Sequence, residues 1–544
     1  MTGRAAPATF PPPRDEVIPA MSQNLSRQLR YVKEPVRSKG GAVAAQNQKA
    51  ADVGAAVLAA GGNAVDAAIA TAFALAALEP WMSGLGGIGF MMVWDARQRR
   101  AHTVDFGAVS AKALDPADYP LTGRTGADLF GWPEVAGNRN MLGYSAIAVP
   151  GQPDGMRLAH ENFASKPWPE LLAPAIALAG TGIEADWWAT LIIATAAADL
   201  ARFPAARDWF LADGLPPVAD WSGALPVLKN PALSATMKTL AERGARDFYE
   251  GRIAAKLAAD LARGGAPGAG SRIGADDLSA YRARRLEPLA IARGGKTLLV
   301  PAGLTAGPTL QDALERTSGK LGRAPDVSAF IAYAEALSAA YETRLETMGE
   351  GRAAAECTTH LSVIDRDGNM VALTQTLLSL FGSKVVLPES GVLMNNGINW
   401  FDPRPGRPNS IGPGKRPLSN MLPLLGLDGG EPWLAIGASG GRRILPAILQ
   451  LVSFQADFGL SLEAAFARPR IDASVAGQIA VDPLMEPAIK AALAQRLTIV
   501  ERRRDPYPLA YACPIAVAID SGTEERVAMT EIAQPWAGAA DDRA

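Results

Sequence analysis

Two threonines, Thr358 and Thr376, bracket one short hairpin, and what they can do depends on the bond before the first of them. The stretch from Cys357 to Thr376 reads as two strands joined at Asp367-Gly368, a dipeptide that supplies the positive φ a tight hairpin turn needs. Leu361 and Val363 alternate with Ser362 and Ile364, the loose period of two that suits a sheet buried on both faces. If the bond between Cys357 and Thr358 is cut, Thr358 carries a hydroxyl and a free α-amine on one residue. The amine can then take the proton from the hydroxyl, which is the threonine form of an activated nucleophile. Thr358 as one more β-branched strand residue is equally compatible with the strand pattern taken alone.

A rival nucleophile is Ser439. Gly437-Ala438-Ser439-Gly440-Gly441 has the glycine spacing of a nucleophile elbow in a strand, turn, helix setting. That fold needs its histidine after the serine, whereas His102, His160 and His360, the three in the chain, all precede Ser439. The same turn suits another task, aiming the backbone N–H groups of Gly440 and Gly441 at a developing oxyanion, where one donor is worth about 3 kcal/mol of barrier. His360 on a strand fits a satisfied core position as well as a reactive one and is given no catalytic role. Three histidines and two distant cysteines provide no zinc spacing, so neither metal nor cofactor is expected. Residues 84–89 match the dinucleotide glycine pattern, but they follow a helix and enter a strand, the reverse of what a pyrophosphate site requires. They are read as a tight turn packed against a sheet.

Around these residues the predicted elements fall in a consistent order. Helices are expected over residues 46–60 and 63–78, with Asn63 as N-cap and Asp66 three residues on, followed by paired strands over 89–95 and 103–106. Residues 150–285 read as a largely helical flank, with a strand over 297–300 and helices from Thr309 and over 327–345 beyond it. The small polar segment 349–356 is expected to be flexible and to end at the cut. After Thr376, strands and loops continue to about Ile436, and a helix over 444–458 opens after the glycine turn.

Several of these motifs, taken together, resemble the gamma-glutamyltranspeptidase family of N-terminal-nucleophile hydrolases. The residues that carry the resemblance are Gly62-Asn63-Ala64-Val65-Asp66, Gly84-Leu85-Gly86-Gly87, Thr358-Thr359-His360, Lys415-Arg416-Pro417-Leu418-Ser419 and Ser439-Gly440-Gly441, in the family's order over roughly residues 40–480. It implies an α/β fold of the four-layer αββα sandwich type. It also implies self-cleavage between Cys357 and Thr358, dividing a large chain, 34–357 behind a mobile leader 1–33, from a small chain, 358–544, in one interleaved fold. Thr376 would steady the Thr358 hydroxyl, and Gly440 and Gly441 would supply the oxyanion donors. Ser419 stands where the family has the first of two hydroxyls on a substrate carboxylate, and Asn420 replaces the second.

The family's grip on an amino-acid head group is altered. Asp105-Phe106 is followed by Gly107 where an arginine is usual, Leu378 stands for an asparagine, Gly397 for a glutamine and Trp400 for an acid. An ammonium facing Leu378 and Trp400 loses its counter-charge at a cost of several kcal/mol. Residues 401–417 are shorter than the lid of some members, and Arg442 adds either a bidentate carboxylate binder or a surface cap. Amides of acids without an α-amino group are therefore the expected donors, as in the oxamate amidohydrolase and glutaryl-cephalosporin acylase branches that the chain resembles. A gamma-glutamyltransferase acting on glutathione and an unprocessed binding protein are the alternatives.

Composition is compatible with all three readings. Hydrophobic residues at 48%, charged residues at 20% and a net charge of -2 describe an ordinary globular chain with no bias toward nucleic acid or membrane. Two cysteines, Cys357 and Cys513, permit at most one bridge, and residues 1–19 lack the apolar core of a secretory signal, so a cytoplasmic protein is expected. The expected partners are a small-molecule amide and the two pieces of one precursor; self-association into a homo-oligomer is compatible with both.

Overall fold

The computed structural model describes residues 31–125, 132–265, 270–348 and 357–543. The hairpin of Thr358 lies at the centre of a seven-stranded sheet. Its arms are β8 (Cys357–Ile364) and β9 (Met370–Leu378), joined through Gly368 at φ +82°. Outside β8 lie β2 (Ala42–Ala45) and β14 (Gly538–Asp541); outside β9 lie β3 (Ile88–Asp95), β4 (Arg100–Phe106) and β5 (Arg284–Leu286). A second seven-stranded sheet runs β1 (Val36–Ser38), β13 (Arg526–Thr530), β12 (Cys513–Ile519), β11 (Glu431–Ser439), β10 (Leu424–Asp428), β7 (Lys296–Val300) and β6 (Leu289–Arg293). Neighbouring strands in both are antiparallel. The chain is thus a mixed α/β protein built on two large antiparallel sheets. Strands β1 to β7 precede residue 357 and β8 to β14 include or follow it, and each sheet takes strands from both groups.

Successive residues of a strand point to opposite faces, so β8 sorts its side chains by parity. Ile364 joins Met92 and Met370 against Leu425, Ile515 and Val517 of the second sheet in one apolar cluster. Leu361 and Val363 point the other way, into a cluster with α1 (Gln48–Ala59) and α2 (Ala64–Leu78). On the second sheet, Leu298, Leu434 and Ile436 pack with α3 (Gly307–Thr317), α4 (Val327–Thr347) and α5 (Ile444–Ala456). The flank before β5 is helical, including Gln152–Phe163, Trp168–Thr181, Trp187–Leu200 and Arg252–Arg263.

Local rules account for the helix that backs the hairpin. The Asn63 side chain accepts from the N–H groups of Val65 and Asp66 while the Asp66 carboxylate accepts from Asn63, a complete capping box. Every residue of α2 is buried, as suits a helix that is apolar all round. The preceding helix departs from expectation: it starts at Gln48, two residues late, because Gln46 is withdrawn into a tertiary hydrogen-bond network described below.

Residues 84–87 form a close-packed turn, as read from their context. A Cβ on Gly86 would lie 2.2 Å from the Leu393 carbonyl oxygen, and one on Gly87 2.9 Å from that of Thr376. Lys33–Ala544 forms one compact unit. The mobile leader, for residues 1–30, and the flexible segment 349–356 lie outside the described residues. Among the described residues no helix is long and apolar enough to cross a membrane, and no group of three or more His, Cys, Asp or Glu side chains is placed to hold a metal ion.

Candidate active site

Thr358 is the second residue of β8, and a fault in the sheet marks its position. Cys357 pairs with Leu378 and Thr359 with Gln375, so β9 has two residues, Thr376 and Leu377, opposite the single Thr358. Such a bulge re-aims side chains, and here it leaves the two hydroxyl oxygens of Thr358 and Thr376 at 3.5 Å. Both threonines are buried. Leu378 then turns to φ +84°, a conformation strained for any residue but glycine, and its N–H donates to Thr376 Oγ1 at 2.7 Å. Backbone strain beside the bulge thus fixes the Thr376 hydroxyl against Thr358.

The face of β8 that carries Thr358 becomes polar toward this end. His360 Nδ1 is 2.8 Å from Thr374 Oγ1 and its Nε2 is 3.0 Å from Ser362 Oγ, so both ring nitrogens are engaged. Burial pushes the imidazole down to about 3, which keeps it neutral. Gly437 makes room for it, since a Cβ there would lie 2.2 Å from His360 Cε1. The first glycine of the apparent elbow therefore serves packing. Ser439 Oγ accepts from Gln46 Nε2 at 2.9 Å, and Gln46 Oε1 accepts from the His360 N–H at 3.2 Å. Ser439 thus faces an amide rather than an imidazole, and the network ties the end of β11 to the strand of Thr358. The next residues, Gly440 at φ +126° and Gly441 at φ +61°, open the short turn Gly441–Arg443 that feeds α5. Gly440 admits no side chain, for its Cβ would lie 2.8 Å from Ala512 Cα.

His360 has a thermodynamic signature that can be measured. The unfolded imidazole takes up a proton below about pH 6.5, while the folded one stays neutral until about 3, so stability falls as pH drops through that window. In urea titrations on a Thr358→Ala background, the loss between pH 7 and 5 should be about 2 kcal/mol smaller for His360→Gln than for its parent. Equal losses would mean that His360 is not buried neutral.

Arg442 is buried, not a surface cap. Its guanidinium carbon lies 5.1 Å from the centroid of the Tyr341 ring, and the Tyr341 hydroxyl donates to the Arg442 carbonyl. Ser419 and Asn420 are buried as well. Ser419 Oγ accepts from the Met421 N–H at 3.2 Å, and its own N–H donates to the Leu304 carbonyl at 3.0 Å. Arg344 of α4, which no local sequence signal marks, donates to the Ser419 carbonyl at 2.6 Å and to Asn420 Oδ1 at 3.2 Å.

Two of the altered head-group positions, Leu378 and Trp400, are buried in apolar surroundings. Leu378, Trp400, Phe401 and Met421 belong to one buried cluster. Asn409 ties Trp400 to the segment before Ser419, donating to the Trp400 carbonyl at 2.7 Å and accepting from the Leu418 N–H at 2.9 Å. Position 397 cannot carry a longer residue without rearrangement, because a Cβ there would lie 2.8 Å from Ala148 Cβ. At Gly107 the missing side chain is met by another arginine. Arg416 Nη1 donates to the Gly107 carbonyl at 3.2 Å and to Asp105 Oδ1 at 3.1 Å, and Tyr281 Oη donates to that carbonyl at 2.9 Å.

Comparison with known proteins gives a consistent result. The gamma-glutamyltranspeptidase family model matches residues 50–356 and 346–544. The glutathione hydrolase proenzyme of Escherichia coli (strain K12) is 30% identical over 495 residues, covering 80% of this chain and 81% of that protein. The acylase ACY 1 proenzyme of Pseudomonas sp. (strain V22) is 30% identical over 479 residues, covering 81% and 83%. In fold, the crystal structure of cephalosporin acylase from Bacillus halodurans superimposes with a TM-score of 0.80 at 24% identity, covering 96% of this chain and 99% of that one.

Proposed function

Because this chain belongs to the gamma-glutamyltranspeptidase family, and is therefore an enzyme of the N-terminal-nucleophile hydrolase class, we propose that it is a self-processing amidohydrolase or acyltransferase with Thr358 as nucleophile. The observation that carries this reading is the Thr358–Thr376 hydroxyl pair at a bulge in the central strand. In processing, Thr358 Oγ1 attacks the Cys357 carbonyl carbon, the peptide C–N bond breaks, and the acyl group moves from nitrogen to oxygen. Water then hydrolyses the ester, leaving a carboxylate on Cys357 and a free amine on Thr358. The two sheets and the helices outside them are, on this reading, the αββα layers of the class.

Turnover repeats the same chemistry on a substrate amide. The Thr358 α-amine takes the hydroxyl proton as Oγ1 attacks the amide carbon, and the N–H groups of Gly440 and Gly441 receive the developing oxyanion. The leaving amine departs with the proton, and the acyl ester passes to water or to an acceptor amine. Ser419, Asn420 and Arg442 are proposed to hold a carboxylate on the acyl group, with the indole of Trp400 lining the pocket. The apolar setting of Leu378 and Trp400 argues for an acyl group without an α-ammonium. Peptide mapping after rapid acid quench with a glutaryl anilide should find the glutaryl mass on Thr358; finding it on Ser439 would overturn the assignment. A gamma-glutamyl donor is the second reading, favoured by Arg416, which brings a guanidinium to the backbone of Gly107.

The pH profile needs one control. A terminal α-amine titrates near 7.7 to 8.0, and kcat/KM should rise with pH through about that value as the amine loses its proton. Lys33 titrates in the same range: burial pushes its ammonium down to about 8, beside Cys513, Glu531 and Glu79. Its Nζ donates to the Gln534 carbonyl at 2.6 Å, a structural bond. Lys33→Met should therefore leave the rising limb where it is; a limb that vanishes would assign the base to Lys33.

A further inference from the structure

One helix touches both of the parts that the proposed site needs. Tyr341 and Arg344 are three residues apart on α4 and share a face. Arg344 is buried; its Nη1 donates to the Thr305 carbonyl at 2.7 Å and to Thr309 Oγ1 at 3.0 Å, while its Nη2 reaches the Ser419 carbonyl and Asn420 Oδ1. A guanidinium has only donors, so the atom it meets on Asn420 must be the amide oxygen, and the opposite end of that amide is a donor. Ser419 is anchored beside it, its carbonyl accepting from Arg344 and its Oγ from the Met421 N–H, so the hydroxyl hydrogen is left to donate elsewhere. An amide whose oxygen is held by a guanidinium has its donor end turned the other way, the sense that suits an anion.

Tyr341 holds the other part. Its hydroxyl bonds the carbonyl of Arg442 and its ring lies under the Arg442 guanidinium, immediately after Gly440 and Gly441. Arg344 stands fourteen positions before Thr358 in the chain, on the far side of the proposed cut.

We propose that Arg344 and Tyr341 are positioning residues through which the segment before the cut sets the specificity of the segment after it. Arg344 fixes the donor sense of Ser419 and Asn420 and so governs recognition of the substrate carboxylate. Tyr341 fixes the Gly440–Gly441 turn and so governs the chemical step. The inference rests on the reading of Ser419 and Asn420 as the carboxylate pair.

The test uses processed enzyme and two donors that differ only in the carboxylate, glutaryl anilide and its methyl ester. Arg344→Lys keeps the charge but loses the fork, and should raise KM for the acid about tenfold or more, with kcat and the ester's constants changed by less than about threefold. Thr309→Val removes one anchor of the guanidinium and should shift KM for the acid in the same direction by about two- to fivefold. Tyr341→Phe should lower kcat for both donors by about tenfold with KM held. Arg344→Lys and Thr309→Val affecting acid and ester alike, or neither, would overturn the inference, since a merely structural role does not distinguish the donors. If Arg344→Lys yields no processed protein, Thr309→Val decides by the same criterion. Wild-type enzyme without preference for the acid would instead refute the carboxylate reading on which the inference rests.

Discussion

Thr358→Ala is expected to remain a single chain of 544 residues and to lose turnover by about four orders of magnitude or more. The expectation joins two steps that use one atom. Without Oγ1 the Cys357 carbonyl is not attacked, so residues 1–357 and 358–544 are not separated and no α-amine is released. The bond that would supply the base stays intact, so the variant lacks nucleophile and base together. Intact-mass spectrometry reads the first effect, and anilide hydrolysis reads the second. Thr358→Ser, which keeps the oxygen, should process and turn over, with losses far smaller than those of alanine. A Thr358→Ala chain cut at the same bond would sink the self-cleavage mechanism, and a wild-type small chain beginning at Cys357 or Thr359 would move the nucleophile by one residue.

The second large effect concerns the acyl group. An α-ammonium brought against Leu378, Trp400 and Phe401 exchanges water for hydrocarbon, and a charge left without a partner there costs about 3 to 5 kcal/mol. At 1.36 kcal/mol per decade, glutaryl anilide should exceed gamma-glutamyl anilide in kcat/KM by about a hundredfold or more. Trp400→Asp supplies the missing counter-charge and should narrow or invert the ratio. Faster turnover of the gamma-glutamyl compound by unaltered enzyme would show that another group receives the ammonium and would favour the glutathione hydrolase reading.

The hairpin was legible because its signals are local: a period of two, a turn dipeptide and two hydroxyl residues. The capping box of α2 was legible for the same reason. The bulge was not, since it depends on how β9 registers against both of its neighbours, and Leu378 gives no hint of a left-handed backbone. Gln46 is a good helix former whose type predicts a place in the following helix, whereas its amide is taken up between Ser439 and His360. Arg344 sits in the last turn of a helix, where a basic side chain usually serves the helix dipole in solvent. Only the fold reveals that it is buried between Thr309 and Asn420. Arg442 illustrates the converse, for its type suggested either a ligand or a surface cap, and its burial over Tyr341 removes the second.

The mixing of strands in both sheets has a consequence for durability. A chain cut before Thr358 keeps β2 paired with β8 in one sheet and β7 paired with β10 and β1 with β13 in the other, so its pieces cannot part without opening both sheets. Once they do part, reassembly is an encounter between two molecules, second order and diluted by every drop in concentration, where the uncut chain folds as one. Such an enzyme has a single passage from ribosome to active state. Its lifetime is then governed by the height of the unfolding barrier rather than by the depth of the folded well.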